Sequence, residues 1–218
     1  MLPTNISLHP AVPADALTLA KLHNAAFEND DLLVTMYGPL TQDDPPFATD
    51  LEKIIRDDPH AQTIKAIDDE TGQVVGWSLW DFYPDAEAQA KADEEARKRS
   101  STPPATSLCP QVYLDYQHLK AKIRAKWIGG RAAAILQVLV VHPDYQGRGI
   151  GTRLLAVGVE EVRRLKLPAW LEASPAGYSV YRKCGFRDAE LMELDFDKYG
   201  LTGMIQVYCM LMDEVEKS

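Results

Sequence analysis

The chain has 218 residues, 46% of them hydrophobic, and a formal net charge of −9 at pH 7. That length is generous for one domain and short for two, and the apolar share fills a sizeable core. The negative balance argues against nucleic-acid partners, anionic membranes are disfavoured for the same reason, and no apolar run approaches the ~20 residues of a membrane span.

With no basic-then-apolar leader at its start, the chain reads as a cytoplasmic protein, one domain over residues 1–218. Cys109, Cys184 and Cys209 are odd in number and lack C-x-x-C spacing or His partners, so reduced thiols are expected and a metal site is not. Oligomeric state is unknown at this level.

The order of predicted elements is mixed α/β. Asn5 to His9 reads as an edge strand, and Pro13-Ala-Asp15 opens a helix to about Phe27. Residues 28–46 read as loop, punctuated by Gly38-Pro39 and Pro45-Pro46, with Asp30 and Asp31 as surface charge or a hold for a cationic ligand. Ala48 to Arg56 is a predicted helix. Strands near 62–68 and 73–82 flank Asp69-Glu-Thr-Gly72, a hairpin turn.

Residues 83–130 read as a helical insert. Asp85 to Arg99 runs from acidic to basic, as the helix macrodipole favours, and its apolar face is mostly Ala, which predicts a solvated helix. Gln111 to Trp127 carries Val112, Tyr116, Leu119, Ile123 and Trp127 at helical spacing. That stripe either covers a sheet or walls a ligand pocket.

Residues 135–141, Ile-Leu-Gln-Val-Leu-Val-Val, predict a buried strand whose one polar member is Gln137. His142-Pro143-Asp144 ends it, and a loop with Gly147, Gly149 and Gly151 opens the next helix. Such a junction aims free amides and a positive dipole end at an anion. It is not a P-loop, because Gly-Lys-Ser/Thr is missing. Nor is it the dinucleotide fingerprint: Thr152 replaces the third Gly, and five residues part the strand from the glycines. Downstream come a short strand, Pro168 to Ala173, a short helix from Ser174 to a Gly185 cap, and a final Met-rich strand, Met204 to Met212.

Gln146-x-x-Gly149-x-Gly151 and Tyr181-x-x-x-Gly185-Phe186, at their separation, resemble the two signatures of the Gcn5-related N-acetyltransferase (GNAT) family. The resemblance implies a central, strongly twisted mixed sheet flanked by helices, splayed between its fourth and fifth strands, with acetyl-CoA as acyl donor. Residues 83–130 then lie between the third and fourth strands. By the same resemblance Leu139, Val140 and Val141 offer backbone to pantetheine, and amides of Gly147, Arg148, Gly149, Ile150, Gly151 and Thr152 hold the diphosphate. Gln146 shapes the loop, Arg148 adds charge, and Ser174 stands where the family often has an Asn that contacts the cofactor.

An amine of ordinary pKa, about 10.4, is protonated near neutrality and cannot attack a thioester. A proton must leave it, and the departing thiolate gains from an acid. The resemblance puts Tyr181 in the acid's place, with Tyr178 an alternative. No base stands on the fourth strand, where Gln137 can only position a water; Glu172, on the fifth, is the candidate base or an ordinary strand carboxylate. The expected reaction is direct acetyl transfer to a small amine in a ternary complex. A protein N-terminus or lysine is the alternative acceptor, and a non-catalytic sensor of acyl-CoA the alternative of another class.

Overall fold

The computed structural model describes residues 5–41 and 47–213; the expected Pro45-Pro46 turn lies outside them. Backbone proximity divides the chain into two compact units, each assembled from three separate stretches of sequence.

The first unit holds β1 (Ile6–Pro10), α1 (Ala16–Phe27), α3 (Phe47–Asp57), β2 (Ala61–Asp68), β3 (Val74–Tyr83), β4 (Ala133–Val141) and α6 (Ile150–Leu165). β1, β2 and β3 run antiparallel in sequence order, with Leu8 opposite Ala66 and Ile64 opposite Ser78, and β4 follows β3. The hairpin between β2 and β3 turns where expected, through Gly72 at φ 71. Alternation along the strands, interrupted in β3 by the register shift opposite Ala66 and Ile67, feeds two cores. On one face Leu19 and Leu22 of α1 and Leu51 of α3 pack on Trp77, Leu79 and Val140. On the other, Ile150 and Leu154 of α6 pack with Ile64, Ala66 and Val75. Each such side chain contributes about 1.5–3 kcal/mol by leaving water. Trp77 is also tied to α1, its indole Nε1 donating to the Leu19 carbonyl at 2.9 Å. Gly158 of α6 lets the Trp80 indole lie flat against the helix, since a Cβ there would stand 2.1 Å from Trp80 Nε1.

The second unit holds α2 (Asp31–Tyr37), α4 (Ala86–Arg99), α5 (Pro110–Trp127), β5 (Ala169–Ala173), α7 (Pro175–Lys183), β6 (Arg187–Asp195) and β7 (Met204–Met212). β7 lies between β5 and β6 and is antiparallel to both, with Met210 opposite Leu171 and Val207 opposite Met192. α4 is a mostly exposed helix capped by Asp85, as its composition predicts. In α5, Val112 and Ile123 are buried, and Trp127 donates its indole N–H to Glu190 of β6 at 2.8 Å. α5 therefore covers strands of this unit, the first of its two expected roles.

Two elements depart from the sequence reading. Residues 31–37, expected as loop, form α2: the Asp30 carboxylate accepts from the Leu33 amide at 2.9 Å, and Gly38, at φ 84, ends the helix. β6 was not foreseen as a strand. Among the described residues, seven strands with flanking helices make a mixed α/β fold of the predicted class. No helix among the described residues is long and apolar enough to cross a membrane.

Candidate active site

At the end of β4 the chain turns through Pro143–Tyr145 into the glycine loop. Tyr145 anchors that turn, its hydroxyl donating to Asp68 at 2.8 Å. Gly147 and Gly149 have φ of 73 and 79, backbone that favours glycine. α6 starts at Ile150, so the amides of Ile150, Gly151 and Thr152 precede any intrahelical partner; the first i to i−4 bond runs from Arg153 N to the Gly149 carbonyl, 3.1 Å. A short row of unspent N–H donors at the positive end of a 16-residue helix is an anion cradle. Gln146 closes its rear by donating Nε2 to the Val141 carbonyl at 3.1 Å. Arg148 is turned back on the loop: its guanidinium lies 4.7 Å from the Tyr145 ring centroid and donates to the Asp144 carbonyl at 2.7 Å.

One strand away, Asp81 of β3 is 8% exposed and accepts a 2.7 Å hydrogen bond from Nε2 of Gln137, an exposed residue midway along β4. Sequence reasoning reached Gln137 but not Asp81, whose strand reads as ordinary alternation.

In the second unit Glu172 is not a free base. Arg124 donates Nε and Nη2 to its two carboxylate oxygens at 2.6 Å each, and the Trp170 indole donates at 2.6 Å. Burial pushes this carboxyl upward, but the Arg124 charge and hydrogen bonds, with Lys120 and Trp170, outweigh it and hold the pKa below the ordinary value. An acid so stabilised in its ionised form is a poor proton acceptor, which weighs against the expected role. Arg124 lies 48 residues from Glu172, beyond any local motif. Lys120, one turn before Arg124 in α5, is half-buried; desolvation first, then the Arg124 charge, lowers its pKa to about 8 against the pull of Glu172.

Tyr181 lies in α7, buried, its ring edge-on to Phe186 with centroids 6.2 Å apart. Gly177 makes room, since a Cβ there would come within 2.9 Å of Tyr181 Cε2. Burial raises the phenol pKa, so the hydroxyl keeps its proton and remains a donor. Tyr178, the alternative, is spent on Asp188 at 2.9 Å. Ser174 caps α7 by accepting from the Gly177 amide at 3.4 Å, which leaves its O–H free to donate.

Residues 113–188 match the family model of the acetyltransferase (GNAT) domain. The matched stretch, about a third of the chain, carries the likeness to the GNAT acetyltransferases. A GNAT domain is an acyltransferase domain whose acyl donor is acetyl-CoA. Solved structures similar to this chain include a mosquito arylalkylamine N-acetyltransferase like 5b, 14% identical over 94% of this chain and 98% of that one, with a TM-score of 0.69. A Drosophila melanogaster polyamine N-acetyltransferase that forms N-acetylagmatine is 15% identical over 95% and 99%, TM-score 0.66. The Salmonella typhimurium acetyltransferase yncA, solved with acetyl-CoA, is 12% identical over 99% and 96%, TM-score 0.58. At these identities the likeness concerns the fold.

Proposed function

We propose that this chain is a GNAT acetyltransferase that moves the acetyl group of acetyl-CoA to a small primary amine by direct attack in a ternary complex. The glycine loop carries the reading: the amides of Ile150, Gly151 and Thr152 open α6 without an intrahelical partner, behind a loop whose positive φ at Gly147 and Gly149 favours glycine. The amides of Gly147, Arg148 and Gly149 join them in the proposed site. In this proposal they hold the diphosphate, and Leu139, Val140 and Val141 offer their backbone to pantetheine. Gln146 keeps its place as brace of the loop, and Arg148 supplies field rather than a direct bond, given its contacts with Tyr145 and Asp144. The Ser174 hydroxyl is assigned a single donated bond to the donor molecule.

Tyr181 is the proposed acid. As the C–N bond forms and the C–S bond breaks, its hydroxyl proton passes to the departing thiolate, and burial has kept that proton in place until then. Glu172 is assigned a structural task, holding Arg124. Net charge of −9 favours a cationic acceptor, and two of the similar structures bear the names of arylalkylamine and polyamine N-acetyltransferases.

Thiol release from acetyl-CoA, measured against phenethylamine, spermidine, agmatine and a set of peptides with free N-termini or lysines, tests the proposal. Turnover with the small amines and little with peptides is expected. Faster turnover of peptides overturns the acceptor class, and no release with any acceptor overturns catalysis.

A further inference from the structure

A lysine amine is a nucleophile once it has shed its proton, and its surroundings decide whether it does so near neutrality. We propose that Lys120 of α5 is an acylation site, which takes an acetyl group directly from a thioester in solution such as acetyl-CoA, by a route independent of the acetyltransferase site.

Those surroundings lie wholly within the second unit. Lys120 stands one turn before Arg124 on α5, so its ammonium and the guanidinium share a face of the helix. The carboxylate that faces both, Glu172 of β5, is already committed. Arg124 donates to each of its oxygens and the Trp170 indole donates to one of them, all at 2.6 Å, which fills three of about four lone-pair sites. Among the described residues Lys120 Nζ has the ring of Tyr116, 5.4 Å from its centroid, and neither a hydrogen-bond acceptor nor an ion-pair partner. Tyr37 of α2 and Cys209 of β7 face Tyr116 and are kept neutral, burial pushing the pKa of each up to about 12; Asp93 of α4 faces Arg124, and Glu190 of β6 is taken by Lys126 and Trp127. Half-buried, Lys120 thus holds its charge beside a like charge with no acceptor of its own. Desolvation and Arg124 together outweigh Glu172 and bring its pKa to about 8. At pH 7 roughly 10% of such an amine is neutral, against about 0.04% of an ordinary lysine.

The step needs only the thioester and water. Lys120 loses one proton to solvent, and the freed lone pair attacks the acetyl carbonyl. As the C–N bond forms, the nitrogen becomes acidic and gives a second proton to water. The C–S bond then breaks, its electron pair leaves on sulfur, and the thiolate takes up a proton from solvent. The product is a neutral amide beside Arg124, which relieves the like-charge contact and the desolvation of the ammonium. Carbon dioxide would instead leave a carbamate anion facing Glu172, so acyl donors are the class that these surroundings favour.

The test incubates the full chain with acetyl-CoA and, separately, with S-acetyl-N-acetylcysteamine, a thioester without a diphosphate, at intervals from pH 7 to 10. Tandem mass spectrometry reads the acetylation rate at each lysine. At about pH 8 Lys120 is expected to react at least tenfold faster than Lys122, exposed two positions along the same helix, with both thioesters. Its rate should level off by about pH 9, whereas an amine of pKa about 10.4 keeps gaining. In concentrated urea, where the fold is lost, the two rates should converge. Lys120 reacting no faster than Lys122 in the folded chain, or a Lys120 rate that still climbs tenfold from pH 9 to 10, overturns the proposal. Labelling by acetyl-CoA but not by the truncated thioester overturns direct transfer from solution. Labelling by both thioesters in a chain that acetylates no added amine upholds Lys120 as the site and overturns the acetyltransferase reading alone.

Discussion

Arg124 and Glu172 meet in a two-pronged ion pair, Nε to Oε1 and Nη2 to Oε2, both 2.6 Å, with side chains only 12% and 9% exposed. Its geometry holds Glu172 as an ionised carboxylate and makes the pair a joint between α5 and β5.

Breaking that joint should cost stability before it costs chemistry. Glu172→Gln leaves a guanidinium with a neutral partner, so unfolding free energy should fall by about 3–5 kcal/mol. The double replacement Arg124→Met, Glu172→Leu should lose less than the single one, because the buried guanidinium leaves together with its carboxylate. Urea titrations of the three proteins measure both. A Glu172→Gln protein as stable as wild type, but inactive, would restore the carboxylate as a base.

The same pair sets a pH dependence. A carboxyl whose folded pKa lies below its unfolded value of about 4.3 adds stability that is present above that value and disappears as pH falls through the lower folded one. Stability lost between pH 5 and 3 should therefore be larger in wild type than in Arg124→Met, Glu172→Leu, as read by the urea midpoint at each pH.

Lys120 behaves oppositely. Its pKa of about 8 lies below that of an unfolded lysine, so the unfolded chain binds the extra proton and stability rises with pH between about 8 and 10.4. Lys120→Met should be more stable than wild type at pH 7, with the difference narrowing by pH 10. Thermal melts across that range decide it; a gap independent of pH removes the titration from Lys120.

At the glycine loop, Gly149→Asp places a side chain at φ 79 and a negative charge in the anion cradle. Affinity for CoA should fall at least tenfold, about 1.4 kcal/mol. Gly147→Ala at φ 73 has open space around its Cβ and pays only backbone strain, about 1 kcal/mol of stability. Calorimetry with CoA separates the two.

Tyr181→Phe keeps the ring against Phe186 and deletes the donor. kcat should drop by about 10²-fold or more with CoA affinity retained. An acyl donor with a more acidic thiol should restore much of the rate. Near-normal kcat with acetyl-CoA, when chemistry limits turnover, would make Tyr181 a packing residue.

The loop from Val141 to Thr152 was legible because everything it needs is local: an apolar run, a proline turn, then glycines before a helix. α2 was missed although its signals are there, Asp30 as cap, Leu32 and Met36 one turn apart and buried, and Gly38 as stop; at seven residues the stretch is too short for periodicity to outweigh its acidic, proline-flanked surroundings. β6 hid for a related reason, since Arg187-Asp188 and Glu190 break alternation where the register with β7 shifts between Asp188 and Glu190. Long-range side-chain pairings were invisible. Gln137 meets Asp81 across 56 residues and Arg124 meets Glu172 across 48, and no single-sequence pattern reports contacts at such range.

The place of β7 has a consequence for synthesis. Met204–Met212 forms ladders with both β5 and β6, so until it emerges from the ribosome those two strands have no partner in this trio and expose unpaired amides and carbonyls. Such edges are templates for association with other chains. A nascent chain paused before Met204 is therefore at its most aggregation-prone, and closure of the trio must wait for the last strand rather than proceed strand by strand.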